Sequence, residues 1–146
     1  AIALQQAGLK PTQIGYVHAH GTATPQGDIA ELAGLKLVFG EHLEEMRVSS
    51  TKSHMGHLLG ASGSVGTVVA ISAMRDGWAP PTRNLDRPGL AGASGFGLDD
   101  RDLRRLHLVP HVTEPIDVDA VAVNSFGLGG QNVVLVFVRP PRLRAR

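Results

Sequence analysis

Residues 14–28 read Ile-Gly-Tyr-Val-His-Ala-His-Gly-Thr-Ala-Thr-Pro-Gln-Gly-Asp, and this stretch decides the class of fold. Its first part, Ile14–Ala19, is short, apolar and rich in β-branched residues, which predicts a buried strand. The turn that follows leads into a helix from about Gln26, with acidic side chains in its first turns, where the helix dipole favours them. Apolar residues then recur near helical spacing until Gly40, where we expect the helix to end.

The same order of strand, turn and helix returns downstream. Met46–Ser50 predicts a second strand, Lys52–Gly56 a loop, and Leu58–Met74 a long helix without a charged residue. Such a helix lies either in the centre of a layered core or across a membrane. We expect a core helix, because the run is slightly short for a span, is rich in glycine and serine, and ends at a charged pair. Glycines at every third position, among them Gly66, indicate close approach of another backbone.

The remaining elements complete a layered fold. Ala1–Leu9 is typical of the last turns of a helix, and Leu106–Pro110 and Asp117–Val123 predict strands. Asn132–Val138 is continuously apolar and predicts a strand buried on both faces, joined to the preceding strand by a hairpin at Asn124–Gly130. Strands alternating with helices, followed by two closing strands, predict an α/β layered sandwich.

Composition narrows the classes of function. The chain has 146 residues, a formal net charge of +1 and no cysteine. A net charge this small gives no extended positive potential for binding nucleic acid. The four arginines within residues 139–146 form a basic tail that we expect to be flexible. The lack of cysteine excludes a disulfide framework, a cysteine metal site and a cysteine nucleophile within these residues. No export signal is recognisable, which favours a cytoplasmic protein, and the start at Ala1 in mid-pattern indicates a piece of a longer chain.

Two histidines lie at positions where the active site of an α/β protein is usually found. His20 and His57 each follow a predicted strand and precede a predicted helix, so both can reach one crevice at the carboxyl ends of the strands. His57 begins the uncharged helix, whose positive end favours a neutral ring that donates a hydrogen bond. Structural histidines that cap helices would occupy the same positions, and the residues alone leave both interpretations open.

A lysine lies between the two histidines in the chain. Lys52 is flanked by four hydroxyl residues just before the uncharged helix, and a partly buried lysine there needs a carboxylate such as Asp28 or Glu31. A surface lysine beside a turn is the alternative.

A metal centre is a further alternative. The pairs His18/His20 and His54/His57, at strand and helix spacing, could bind zinc with Asp28 and so form a hydrolytic site. Their spacing is loose, and nothing in the pattern supplies a general base.

Two glycine-rich segments invite a phosphate-binding interpretation. Neither Gly60–Gly66 nor Gly127–Gly130 has the spacing of a dinucleotide fingerprint or of a phosphate-binding loop, so we reject nucleotide binding. The second segment could present backbone N–H groups to an oxyanion, or could simply be a tight turn.

Four ordered motifs together resemble one family, and they are Val17–Asp28 with Glu31, Val48–His57, Pro80–Leu85 and Asn124–Asn132. The sequence from about Ala1 to Pro140 closely resembles the C-terminal half of β-ketoacyl-acyl carrier protein synthases, nearest to the bacterial type II elongating enzymes. The resemblance implies the thiolase fold, a five-layered αβαβα sandwich of two similar halves, of which residues 1–146 are the second. It also implies decarboxylative Claisen condensation, in which an acyl group on a cysteine of the first half is attacked by the carbanion left when malonyl-carrier protein loses carbon dioxide.

The resemblance assigns roles to residues. His20 and His57 match the two catalytic histidines, which donate hydrogen bonds to the thioester oxygen and stabilise the enolate. Lys52 matches a lysine that organises the site with an acidic partner, which matches Glu31.

Other positions match substrate contacts. Thr22 and Thr24 match threonines that bind the phosphopantetheine arm, and Leu128 falls where the family's glycine-rich loop supplies an oxyanion N–H and a gating side chain. Leu128 replaces the phenylalanine usual in elongating enzymes and Gln131 the usual threonine, and the loop Pro88–Leu106 is longer than usual. We therefore expect a difference in gating or chain-length preference.

The resemblance also implies partners. We expect an acyl carrier protein, the cysteine-bearing half, and a homodimer or heterodimer of ketosynthase subunits. No cofactor or metal is expected, since the phosphopantetheine arrives on the carrier protein, and neither nucleic acid nor a membrane is expected as a partner. A non-condensing or split partner subunit is the alternative, although such paralogues tend to lose the histidines and the lysine. Without the other half, the uncharged helix should leave this chain a poor monomer.

Overall fold

The computed structural model describes residues 1–86 and 98–141. The longer helices and strands follow the predicted order, with short 3-10 turns between some of them. A short helix at residues 100–105 and two short strands at residues 78–79 and 114–115 were not predicted. The helices are α1 (Ile2–Ala7), α2 (Pro25–Phe39), α3 (Lys52–Met55), α4 (Ser62–Asp76) and α5 (Asp100–Arg105). The strands are β1 (Ile14–His18), β2 (Arg47–Ser49), β3 (Trp78–Ala79), β4 (Glu114–Pro115), β5 (Ala120–Gly127) and β6 (Gln131–Val138).

One four-stranded sheet organises the described residues. Its strand order is β2-β1-β5-β6, in which β1 lies parallel to both β2 and β5 while β5 and β6 form an antiparallel hairpin. Strands β3 and β4 make a separate two-stranded ribbon. Because β1 and its two neighbours are parallel, their carboxyl ends meet at one edge of the sheet, and the loops that follow β1 and β2 leave from that edge.

The two faces of the sheet bury different clusters. Ile14 and Val17 pack with Leu35 of α2 on one face, whereas Tyr16 packs with Ala70 and Val123 on the face covered by α4. The neighbours Tyr16 and Val17 face opposite sides, as alternation along a strand requires. Ile14 shares the face of Val17 because the register of β1 against β5 shifts between Ile14 and Tyr16. The sheet is thus covered by helices on both faces, which is the arrangement that the strand and helix pattern predicts.

The first half of the chain follows the prediction closely. β1, α2 and β2 lie within one or two residues of their predicted bounds, and α1 ends at Gly8, whose φ of 67° is in the left-handed region. Such a stop suits glycine, which has no Cβ to clash in that conformation.

The predicted uncharged helix begins later than expected and is only partly covered. Residues 59–61 form a 3-10 turn in which Leu59 has a φ of 48°, so α4 starts at Ser62 and continues through its charged end to Asp76. Small residues face the sheet, whereas Val68 and Ile71 are 64% and 38% exposed. In the described part of this chain, the far side of α4 is therefore open.

The prediction that Asn132–Val138 is buried on both faces is wrong. β6 is an edge strand, and its residues are exposed or half-exposed, with Val133 at 52%. An apolar run reports that a strand prefers burial, but it does not say whether this chain supplies the covering layer.

Three local predictions are corrected. Lys52–Gly56 is mainly the short helix α3 rather than a loop, and Leu106–Pro110 forms only isolated bridges at Leu108 and Pro110. β5 starts at Ala120 and extends through most of the predicted hairpin segment, which leaves a turn of only three residues. The first part of the loop Pro88–Leu106, residues 88–97, and the end of the arginine tail, residues 142–146, lie outside the described residues.

Candidate active site

The two histidines predicted for the active site meet at the carboxyl edge of the sheet. His20 lies in the loop after β1, and His57 lies between α3 and α4. Their ring centroids are 5.6 Å apart and the ring planes are nearly perpendicular, at 86°. The structure therefore brings into one crevice two residues that are 37 positions apart in the sequence.

The hydrogen bonds around His57 determine which ring nitrogen carries the proton. The backbone N–H of Leu59 donates to His57 Nδ1 over 3.1 Å, and the Ser62 hydroxyl lies 2.9 Å from the same nitrogen. Because a backbone N–H can only donate, Nδ1 must accept, which places the ring proton on Nε2. The prediction that His57 begins the long helix is wrong, because the 3-10 turn at residues 59–61 separates His57 from α4. The Leu59 N–H and the Ser62 hydroxyl orient the ring instead.

His20 is oriented in the same way from another element. The backbone N–H of Phe126, near the end of β5, donates to His20 Nδ1 over 3.4 Å, and the Phe126 ring packs 5.3 Å from the imidazole. The neutral ring therefore carries its proton on Nε2. Burial lowers the pKa of His20, and the nearby charge of Lys52 lowers it further. Both histidines thus present an Nε2–H donor.

Glu31 supports the turn that carries His20. One carboxylate oxygen accepts the His20 backbone N–H and the Asn124 side-chain amide, and the other accepts the Gly21 N–H, all over 2.9 Å. Glu31 and Asn124 are both buried. Sequence reasoning missed the role of Asn124, although its place in the Asn-Ser-Phe-Gly motif could have marked it.

Lys52 faces this cluster without an ion pair. The predicted direct partnership with Asp28 or Glu31 is not observed as a salt bridge: among the described residues Lys52 forms none, and the Glu31 oxygens accept N–H donors. Burial lowers the pKa of the half-buried Lys52, and the charge of Glu31 opposes this through space. The positive charge in turn lowers the pKa of both His18 and His20.

A cavity of about 630 Å³ opens beside the histidines. Thr22 and Thr24, Lys52 and His57 line one part of it, and the two threonine hydroxyls lie 3.2 Å apart. Asp28 lies in the same wall, where burial and the Glu31 charge raise its pKa. A volume of this size is within the range of ligand pockets.

Leu128 lies apart from the other predicted site residues. It lies in the β5–β6 turn, is 99% exposed, and does not line the cavity. The two glycines that follow it adopt positive φ angles of 84° and 80°, which this turn requires.

The zinc alternative finds no support. Within the two described ranges, no three histidine, cysteine, aspartate or glutamate side chains come together where a metal ion could bind. His18 points into the α4 face and bonds Thr51 rather than joining His20.

Comparison with known proteins identifies the family. Residues 1–86 match the model of the β-ketoacyl synthase C-terminal domain. The chain belongs to the β-ketoacyl synthase family. It is 45% identical over 139 residues to 3-oxoacyl-[acyl-carrier-protein] synthase 2 of Vibrio cholerae, covering 94% of this chain and 31% of that protein. The chain therefore spans about a third of the length of this curated relative.

Solved structures of ketosynthases share the fold. The ishigamide ketosynthase/chain length factor superposes with a TM-score of 0.80 at 31% identity, covering 95% of this chain and 31% of that one. A type II polyketide ketosynthase, solved in complex with its acyl-carrier protein, superposes with a TM-score of 0.82 at 27% identity, covering 95% and 31%. The thiolase-like fold class and the correspondence to a C-terminal part are confirmed. No helix within the described residues is long and apolar enough to cross a membrane.

Proposed function

We propose that this synthase chain supplies the decarboxylation machinery of a 3-oxoacyl-[acyl-carrier-protein] synthase, with the nucleophilic cysteine outside residues 1–146. The observation that carries the proposal is the pair of histidines whose Nδ1 atoms both accept backbone N–H groups. Both neutral rings therefore carry an Nε2–H donor, and the two ring centroids lie 5.6 Å apart. Two preorganised donors at one point are the feature that stabilises a developing oxyanion.

The proposed step is the decarboxylation of a malonyl thioester. The bond between the carboxylate and the methylene carbon breaks, carbon dioxide leaves, and the electron pair passes onto the thioester oxygen as an enolate. His20 and His57 donate hydrogen bonds to that oxygen. The enolate carbon then attacks the acyl carbonyl on the cysteine, and the carbon–sulfur bond breaks to release the thiolate.

Lys52 contributes through its charge. A cation close to His20 disfavours the imidazolium form, which would lose the Phe126 N–H bond. Thr22 and Thr24, in the cavity wall, are placed to bind the polar phosphopantetheine arm of the substrate. The proposed chemistry calls for no separate cofactor.

The proposal includes partners. The substrate arrives on an acyl carrier protein, as it does for the related ketosynthase solved with its carrier protein. A cysteine-bearing half completes the site, and paired subunits are supported by the relative described as a ketosynthase/chain length factor. Leu128, exposed at the turn, is proposed to contribute its oxyanion N–H and gate in the complete enzyme.

The test uses the full-length polypeptide that carries this sequence, or the complex with the cysteine-bearing subunit where that is separate. Malonyl-carrier protein decarboxylation is measured for wild type, His20→Ala and His57→Ala. Each substitution removes one donor and should reduce the rate by about a hundredfold or more. His54→Ala, an exposed histidine of α3 outside the cavity wall, is the matched control and should retain the wild-type rate. Unchanged rates in both histidine variants would overturn the proposal.

A further inference from the structure

A third histidine is buried next to the site and has no part in the mechanism above. His18 ends β1, two residues before His20, and is only 2% exposed. Its ring lies on the α4 side of the sheet. Burying an imidazole is unfavourable unless its nitrogens are paired, so its contacts identify what holds it there.

Both polar contacts of His18 Nε2 are with one residue. The Thr51 hydroxyl lies 2.9 Å from Nε2, and the Thr51 backbone N–H donates to the same atom over 3.4 Å. Since the N–H can only donate, Nε2 accepts both, and the neutral ring carries its proton on Nδ1. His18 and Thr51 thus form a buried link between the ends of β1 and β2.

Thr51 lies at the start of the segment that carries Lys52 and His57. It immediately precedes α3, whose first residue is Lys52, and α3 leads through Gly56 to His57. The last backbone bond between the two strand ends runs from the Ala19 N–H to the Ser49 carbonyl over 2.8 Å. Past it, the His18–Thr51 link holds the loop of His57 against the strand that leads to His20.

Helix α4 leaves room for the ring. A Cβ atom at Gly66 would lie 2.9 Å from His18 Nδ1, closer than real Cβ contacts allow, and 3.1 Å from Cε1, which is a tight contact. Glycine at this helical position therefore permits the imidazole to sit against the helix backbone. The strand, the helix and Thr51 together fix the ring.

We propose that His18 is a positioning residue that, through Thr51, sets the placement of Lys52 and His57 relative to His20. The inference rests on the proposed decarboxylation function. Loss of the acceptor leaves two Thr51 donors unpaired and lets the start of α3 shift, which separates the two Nε2–H donors.

The test compares substitutions in the full-length enzyme. His18→Leu removes the acceptor, Thr51→Val removes the hydroxyl at nearly constant shape, and His18→Gln retains an acceptor at a similar reach. We expect the first two to lower kcat for malonyl-carrier protein decarboxylation about tenfold, with KM within twofold, as the loss of a buried hydrogen bond predicts. His18→Gln should recover to within about threefold of wild type. The double variant of His18→Leu and Thr51→Val should be no slower than the slower single variant, because both remove the same link.

Two further measurements separate positioning from general stability. Acyl transfer from the carrier protein onto the cysteine, which needs no enolate, should remain within twofold of wild type in every variant. Gly66→Ala, which displaces the ring, should lower decarboxylation as His18→Leu does. Gly34→Ala is the matched control, because a Cβ there meets nothing within 4 Å, and it should be without effect.

The outcomes are distinguishable. An active wild type whose His18 and Thr51 variants decarboxylate normally overturns this inference alone. If the variants lose decarboxylation and acyl transfer by the same factor and their thermal midpoint falls as well, His18 is only a structural residue, and the positioning inference is overturned. A wild-type enzyme that does not decarboxylate malonyl-carrier protein overturns the proposed function itself.

Discussion

Replacing Glu31 by glutamine should destabilise the protein far more than the loss of one charge from a surface. The two oxygens of Glu31 face different backbone donors, His20 N–H on one side and Gly21 N–H on the other. Glutamine has one oxygen and one NH₂ group. Whichever way its amide turns, one backbone N–H is left pointing at another donor in a buried site.

The magnitude follows from the three bonds. Hydrogen bonds to a charged acceptor contribute about 1.5–3 kcal/mol each, and neutral ones about 1 kcal/mol. Glu31→Gln loses one charge-assisted bond, leaves its donor unpaired, and weakens the other two. The smaller desolvation cost of a neutral amide offsets part of this loss. We expect the free energy of unfolding to fall by about 2–4 kcal/mol, and decarboxylation to fall with it because the His20 turn loosens.

The assay is urea unfolding of the full-length enzyme at neutral pH, with the m value checked for a common unfolded state. Glu44→Gln is the matched control. Its ion pair with Arg105 is 2.7 Å long, but both side chains are substantially exposed, so the change should stay under 1 kcal/mol. A Glu31→Gln loss no larger than that of the control would refute the assignment of Glu31 as the acceptor that supports the histidine turn.

Four other outcomes are expected. Lys52→Met should raise the pKa of His20, because the cation that lowers it is gone, and the acidic limb of the decarboxylation profile should move to higher pH; an unmoved limb would contradict this. Ser62→Ala removes a hydroxyl donor from His57 Nδ1 and should reduce decarboxylation severalfold without changing the thermal midpoint by more than a few degrees, whereas a wild-type rate would show that the Leu59 N–H suffices. Gly15→Ala places a Cβ 2.1 Å from a methyl group of Val118, which precedes β5, and should destabilise the protein by about 1–3 kcal/mol or more in urea unfolding, so a neutral result would disprove that packing. The 146-residue chain expressed alone should self-associate in sedimentation experiments through its open apolar helix and edge strand, and a cooperatively unfolding monomer would contradict this.

Local structure was predictable wherever one strong signal acted alone. The apolar run that begins at Ile14 could only be a buried strand, and glycine stops at Gly8 and Gly40 ended the helices where the pattern predicts. The start of α4 was not predictable, because Leu59 has a positive φ although it is not a glycine, and no residue there signals that conformation. The same composition that indicates a helix also tolerates a 3-10 turn.

Burial was the least predictable property. The apolar residues of β6 indicate a covered strand, yet β6 is exposed among the described residues, because an apolar run does not say which element packs against it. In the candidate site, too, some features were predictable and others were not. His20 and His57 were recognisable from the order of elements, whereas the buried acceptor Glu31 is shared among three donors from two elements, and only coordinates reveal such sharing.

The tautomers of the two histidines also discriminate between ways of making a carbanion. A condensing enzyme that deprotonates its donor substrate needs an unprotonated nitrogen aimed at the substrate, whereas one that releases carbon dioxide needs only donors for the resulting oxyanion. In this chain the accepting nitrogens of His20 and His57 are turned inward, onto the N–H groups of Phe126 and Leu59. For either ring to act as a base at Nε2, its proton would have to move to Nδ1, and a backbone donor would then face another donor at a cost of about 1–3 kcal/mol. The backbone of β5 and of the turn before α4 thus biases both rings toward donation, which favours decarboxylation over proton abstraction as the source of the carbanion.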